Sequence, residues 1–255
     1  MEKRWPAPYG AGMSFHRVVH LCAVLATAAA LLPVTAAQAG GKRPIVVELY
    51  TAQGCASCPP ADALLTQLAA RKDVIALSLP ITYWDMLGWK DTLASEGCTR
   101  RQKSYAQTMK RGGVYTPEMV VDGVSDVVGS RDGLVNAAIT AREGDEESVP
   151  VAISAGKQAL HISIGADDHA DSSSTIWLFR IQPWAKVAIG GGENSGHTLT
   201  YTNIVREVRA VGLWSGRAVA LDLPRDAPHD AFAVVVQQGG GYGRIVGAAM
   251  SDPAH

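Results

Sequence analysis

The fold class predicted is an α/β domain followed by a mostly antiparallel β domain, and three observations predict it. An apolar run, a segment with helical periodicity and a second apolar run follow one another between residues 44 and 82. A charged stretch, Arg142 to Ser148, then breaks the pattern. Beyond it come short alternating segments separated by Gly, Asp, Ser and Pro clusters, the grammar of an antiparallel sandwich or meander. The 255 residues are 47% hydrophobic and 18% charged, which excludes a disordered chain and is enough for a sizeable core. A formal net charge of −1 carries no electrostatic footprint for nucleic acid.

The first 39 residues read as an address. Arg17 precedes an apolar run from Val18 to Leu32, and Ala37-Gln38-Ala39 has the small-x-small pattern of a signal-peptidase site. Residues 1–12 have no periodicity, and Met13 is an alternative start. An uncleaved anchor over residues 18–37 is the competing reading, although His20 and Pro33 interrupt it. Cys22 lies inside the apolar run. Cleavage after Ala39 predicts an exported protein, periplasmic or secreted, with no membrane insertion once the signal is removed. Three cysteines remain: Cys55, Cys58 and Cys98. Export places them where disulfides form and persist.

The region 40–142 then reads element by element. Residues 44–50 (PIVVELY) form a strand covered on both faces. A Gly-containing loop leads to a helix from Pro59, where Ala61, Leu64, Leu65 and Leu68 make one apolar face. Its prolines fall in the first turn, where a missing N–H costs nothing. Residues 73–82 are a second strand, parallel to the first. An irregular aromatic segment covers 83–97, and a polar helix covers 99–110. Residues 114–121 are a strand containing Pro117, Asp122-Gly123 turns a hairpin, 124–128 returns, and Ser130 caps a last helix. In the region 149–255, residues 200–213 are ambiguous between strand and helix.

Cys55-Ala56-Ser57-Cys58 carries the chemistry. Two cysteines at this spacing, at the turn between a buried strand and a helix, can close a small disulfide ring. The helix N-terminus favours thiolate at Cys55, which makes it the attacking sulfur and Cys58 the resolving one. A permanently oxidised staple is the alternative. Pro117 cannot donate to a ladder. It fits either a cis peptide packed on a redox disulfide, with Thr116 presenting backbone groups to an extended substrate, or an ordinary strand edge. Tyr83, Trp84 and Asp85, with Trp89, line a substrate groove or close a core.

Residues 44–141 resemble a thioredoxin-like domain, in PIVVELYTAQGCASCPP and in VYTPEMVVDG. GCASCPPADALL, YWDMLGWKD, RRQKSYA, VYTPEMVVDG and GGENSGHTLTYTNIVRE further resemble a family of secreted bacterial proteins grouped as domain of unknown function 1223. The resemblance implies a thioredoxin fold with Cys55 attacking, Cys58 resolving and Pro117 as the cis-proline. It also implies a buried acid at Glu48 that would accept the proton of Cys58, the alternative being a Glu48 that points to solvent at the strand edge. The loop from Glu48 to Cys55 is one residue longer than in thioredoxin.

These readings predict an exported thiol–disulfide oxidoreductase acting on a protein partner or a small thiol. It needs no cofactor, because electrons come from a partner dithiol. Two alternatives remain. Cys55 and Cys58, with Cys98 or a histidine, would suit Cu(I); or the disulfide is inert and the protein binds through its β-rich half. Cys98 alone exchanges with the pair, bonds another chain, or sits buried as a small hydrophobe. Gly190-Gly191-Gly192 and Gly239-Gly240-Gly241 read as turns, not phosphate loops. Residues 167–171 (DDHAD) read as a polar hairpin tip, and His161 and His197 lack ligand spacing.

Overall fold

The computed structural model describes residues 1, 43–145, 149–168, 170 and 173–252. The leader expected over residues 1–39 lies, apart from Met1, outside the described residues, and so do Met13, Cys22, His169 and Asp171. No described helix is long and apolar enough to cross a membrane. The described residues from Arg43 onward form one compact unit.

The first half contains β1 (Ile45–Thr51), α1 (Pro59–Ala69), β2 (Val74–Pro80), α2 (Glu96–Thr108), β3 (Glu118–Val121), β4 (Ser125–Val128) and α3 (Asp132–Thr140). β1 runs parallel to β2 and antiparallel to β3, and β3 pairs with β4. Residues 114–117 fall outside β3, which begins after Pro117. The second half contributes β5 (Val151–Ala155), β6 (Ala159–Ile164), β7 (Ser174–Ala188), β8 (Thr198–Trp214), β9 (Val219–Pro224), β10 (Ala231–Gln237) and β11 (Ile245–Met250).

The predicted fold class is corrected at this point. The described residues are 41% strand and 19% helix, so the protein is mostly β and not the thioredoxin-like α/β domain followed by a β domain that was expected. Eight strands share one mixed sheet in the order β11-β10-β7-β8-β2-β1-β3-β4, and β5-β6-β9 form a second, three-stranded sheet. The physical reason lies at the outer edge of β2. There β8 adds in parallel through Ser78 and Ile204, and Asn203 donates its side-chain N–H to the Ala76 carbonyl at 3.0 Å. An unpaired edge is a liability, and here the second half of the chain covers it. Both long strands also depart from the expected pattern. Where short segments were expected, one 15-residue β7 runs through Pro183, and the ambiguous 200–213 lies within the 17-residue β8. Asn203, with φ +50°, lies opposite Pro183 in the register of the two strands.

Strand alternation sorts side chains onto the two faces of the large sheet. On one face, Val47 and Leu49 pack with Leu65 and Leu68 of α1 and Ile139 of α3. Farther along that face, Leu178, Val234 and Val236 pack against Leu160, Ile162 and Ile164 of the small sheet. On the other face, Val46, Tyr50, Leu77, Phe179, Val205, Val235 and Ile245 share a core with Cys98 and Tyr105 of α2. The Ile245 N–H donates to the Asp122 carbonyl at 3.0 Å, joining the β3–β4 turn to the start of β11. Strands from opposite ends of the sheet order therefore meet, so the sheet curls around this second core.

A buried ion pair sits inside the curl. Arg101 of α2 donates to Glu48 through Nε at 2.5 Å and Nη2 at 2.9 Å, and also reaches Gln237 of β10 at 2.8 Å. Its guanidinium carbon lies 5.0 to 5.8 Å from the ring centroids of Phe179, Tyr105, Trp177 and Tyr242. A desolvated guanidinium gains from such faces.

Candidate functional site

β1 ends in a turn that carries Cys55 and Cys58 to the start of α1. The two sulfurs are bonded, with Cα atoms 5.5 Å apart. Cys58 is the N-cap of α1, with prolines at the first two helical positions. Both cysteines are fully buried, whereas Ala56 and Ser57 between them are exposed. Prolines supply no N–H, so two of the donors expected from a helix N-terminus are missing here.

Across the turn lies the segment before β3. The Thr116–Pro117 peptide is cis. The Thr116 hydroxyl donates to Cys55 Sγ at 3.4 Å and accepts from Trp84 Nε1 at 2.8 Å. The N–H and C=O of Thr116 make no backbone hydrogen bond among the described residues. Pro117 is buried, and Glu118 after it is tied to Gln102 at 2.7 Å and to Arg111 at 2.6 Å. Burial raises the Glu118 carboxyl above its ordinary value.

The other predicted residues divide between the site and its scaffold. Trp84 joins the site through Thr116. Tyr83 is half-buried, its hydroxyl pushed up to about 12 by desolvation. Asp85 accepts the Asp91 N–H at 3.0 Å. Glu48 is fully engaged by Arg101, by Tyr105 at 2.7 Å and by Tyr50 at 3.1 Å. No hydrogen bond links it to Cys58. Cys98 lies behind the site, donating to the Val205 carbonyl at 3.7 Å, and burial pushes its thiol up to about 12. No group of three His, Cys, Asp or Glu side chains among the described residues is placed to hold a metal ion.

A buried carboxyl absent from the sequence reading does approach the helix start. Asp62 lies one turn beyond Cys58, its Oδ2 accepting from Thr51 at 3.2 Å and its Oδ1 buried without a partner. Desolvation raises it well above the ordinary carboxylate range.

The second unanticipated contribution comes from the β7–β8 hairpin tip. Asn194 donates from Nδ2 to the carbonyls of Gln53 at 2.9 Å and Cys55 at 2.8 Å. Glu193 Oε2 accepts the Ala56 N–H at 2.9 Å, and its own N–H reaches the Gly54 carbonyl at 3.3 Å. The glycines before it are required by close approach. A Cβ on Gly190 would stand 2.7 Å from the Trp89 ring, and one on Gly192, with φ +71°, 3.2 Å from Gly54 Cα. Trp89 is fixed in turn by Gln53 at 2.8 Å. The one sequence signal for this strap is that GGENSG stands among the long motifs far from the cysteines.

This geometry defines a curled mixed-sheet protein with a buried disulfide turn clamped by a distant hairpin. The chain belongs to the family described as "Protein of unknown function (DUF1223)", whose model matches residues 46–237. It is similar to a crystal structure of a protein from Agrobacterium tumefaciens, at 33% identity and TM-score 0.72, over 82% of this chain and 95% of that one. It also shares its fold with HBP35 of Porphyromonas gingivalis, at 12% identity and TM-score 0.58, over 84% of this chain and 76% of that one. No curated protein matches.

Proposed function

We propose that the protein is an exported thiol–disulfide oxidoreductase whose working pair is Cys55 and Cys58. The observation that carries the reading is the contact of the Thr116 hydroxyl with Cys55 Sγ beside backbone groups that have no backbone partner among the described residues. That hydroxyl donor stabilises a thiolate, and the free N–H and C=O of Thr116 can pair with an extended polypeptide. In the reduced protein, the Cys55 thiolate attacks a substrate disulfide and forms a mixed disulfide. Cys58 then attacks Cys55 Sγ and releases the substrate as a thiol. The local pairing of a Cys-x-x-Cys turn with a proline segment is the part of the thioredoxin likeness that supports this chemistry. The N-terminal signal pattern supports export. Trp84, with exposed Met86 and Leu87 following it, offers apolar surface for a substrate.

A Cys58→Ser variant is the test. It should accumulate mixed disulfides through Cys55, and mass spectrometry of the trapped species names the substrate. Cys55→Ser should abolish insulin reduction.

Complete burial of both sulfurs favours a second reading, a structural disulfide in a binding protein. Under that reading the disulfide resists dithiothreitol while the protein is folded, and the Cys58→Ser variant traps nothing.

A further inference from the structure

We propose that Glu193 sets the redox poise of the Cys55–Cys58 pair, opposing the Cys55 thiolate so that the reduced protein donates electrons to substrate disulfides. The inference rests on the oxidoreductase reading and adds a direction of electron flow to it.

A Cys55 thiolate has few donors to draw on. Pro59 and Pro60 have no N–H, the Ala61 N–H is used by the Cys58 carbonyl, and the Cys58 N–H is used by the Cys55 carbonyl. Of the two amides between the cysteines, that of Ala56 is already taken by the Glu193 carboxylate at 2.9 Å. Glu193 thus removes a donor and places a negative charge on the residue next to Cys55. A like charge disfavours ionisation.

The other charged groups around the turn do not offset it. Asp91 accepts the Gln53 N–H at 2.8 Å, and Asp85 stands behind Asp91. Asp62 lies one helical turn past Cys58. Toward β3, Glu118 is answered by Arg111 at 2.6 Å, and toward α2, Glu48 is answered by Arg101 at 2.5 Å. No lysine or arginine hydrogen-bonds to Gln53–Cys58 among the described residues. The side-chain donors that favour a Cys55 thiolate are the hydroxyls of Thr116 and Ser57, each 3.4 Å from Cys55 Sγ.

The direction follows from linkage. A pair whose reduced form is stabilised as thiolate is an oxidant, and a pair denied that stabilisation prefers the disulfide and gives electrons away. Two electrons leave the Cys55–Cys58 dithiol as its disulfide forms. The substrate disulfide gains them and leaves as two thiols, taking up the two protons the dithiol gives up. A partner dithiol of lower potential must then reduce Cys55–Cys58 again.

The experiment uses the reduced full chain and follows iodoacetamide alkylation of Cys55 against pH, read by peptide mass spectrometry. Glu193→Gln keeps the side-chain shape and an acceptor for Ala56 but removes the charge. It should increase the Cys55 acid dissociation constant about three- to tenfold, on the order expected for a solvent-exposed charge nearby. Glu193→Ala should do likewise, and Glu193→Asp should stay close to wild type. At pH 9, equilibrium with glutathione should shift toward the reduced protein in Glu193→Gln, by no more than the same factor. High salt should shrink the difference. If neither Gln nor Ala moves the midpoint while Cys55 titrates normally and Cys58→Ser traps substrate, the role of Glu193 is overturned and the oxidoreductase reading stands. If Cys55 in the folded, reduced protein is alkylated at no pH, both fall.

Discussion

Asn194 donates a hydrogen bond to the carbonyl of Cys55 at 2.8 Å across 139 positions of sequence. The same amide holds the Gln53 carbonyl, so one side chain closes both sides of the turn before the disulfide. Because Asn194 is buried, its loss takes the side-chain donor from the buried Gln53 carbonyl and leaves the Cys55 carbonyl with the Cys58 N–H alone.

Asn194→Ala should therefore destabilise the fold by about 2 kcal/mol, within the range for unsatisfied buried polar groups. Urea unfolding measures the loss. The same variant should react faster with dithiothreitol in native buffer, since the strap no longer fixes the turn. An unchanged rate would show that the strap does not limit access.

Arg101→Ala should cost more, about 3–5 kcal/mol, because it strands the Glu48 carboxylate in the core. Calorimetry should show a large fall in Tm. The exchange of both partners, Arg101→Met with Glu48→Gln, should recover part of it.

Asp62 gives a pH signature. Its folded pKa is raised by burial, so the neutral form is the one the fold favours. Stability from this group is complete below the unfolded carboxylate range and is lost as pH climbs toward the raised folded value. Asp62→Asn should thus raise Tm at pH 8 relative to wild type, with the gain vanishing near pH 4. Thermal scans across that window check the sign.

Cys98 should stay silent. Buried, with its thiol pushed up to about 12, it is not a nucleophile at neutral pH. Peptide mass spectrometry should find it unmodified by iodoacetamide in native protein and fully modified in guanidinium chloride.

Much of the local order was legible in single segments. PIVVELY had to be a covered strand, the Ala61, Leu64, Leu65, Leu68 stripe had to be a helix face, and Asp122-Gly123 had to turn. Each depends on a periodicity or a backbone preference that neighbouring residues state among themselves. The mostly β fold was not legible because the apolar pattern breaks at Arg142–Ser148 while one sheet takes strands from both sides of that stretch. Whether the outer edge of β2 is free or paired depends on Ile204 and Asn203, and no local periodicity reports that pairing.

The site divides in the same way. The sequence alone determined a Cys-x-x-Cys pair at a strand-to-helix turn and a proline segment able to face it, because spacing and residue chemistry suffice for both. It also offered Glu48 as a buried acid. Only the tertiary structure decided that Arg101 takes that carboxylate, that Asp62 is the buried acid beside the helix start, and that Asn194 and Glu193 grip the turn. Those outcomes depend on which distant side chain fills a given vacant hydrogen-bonding position. That choice is made only when β7 and β8 bring their hairpin tip onto Gly54–Ala56.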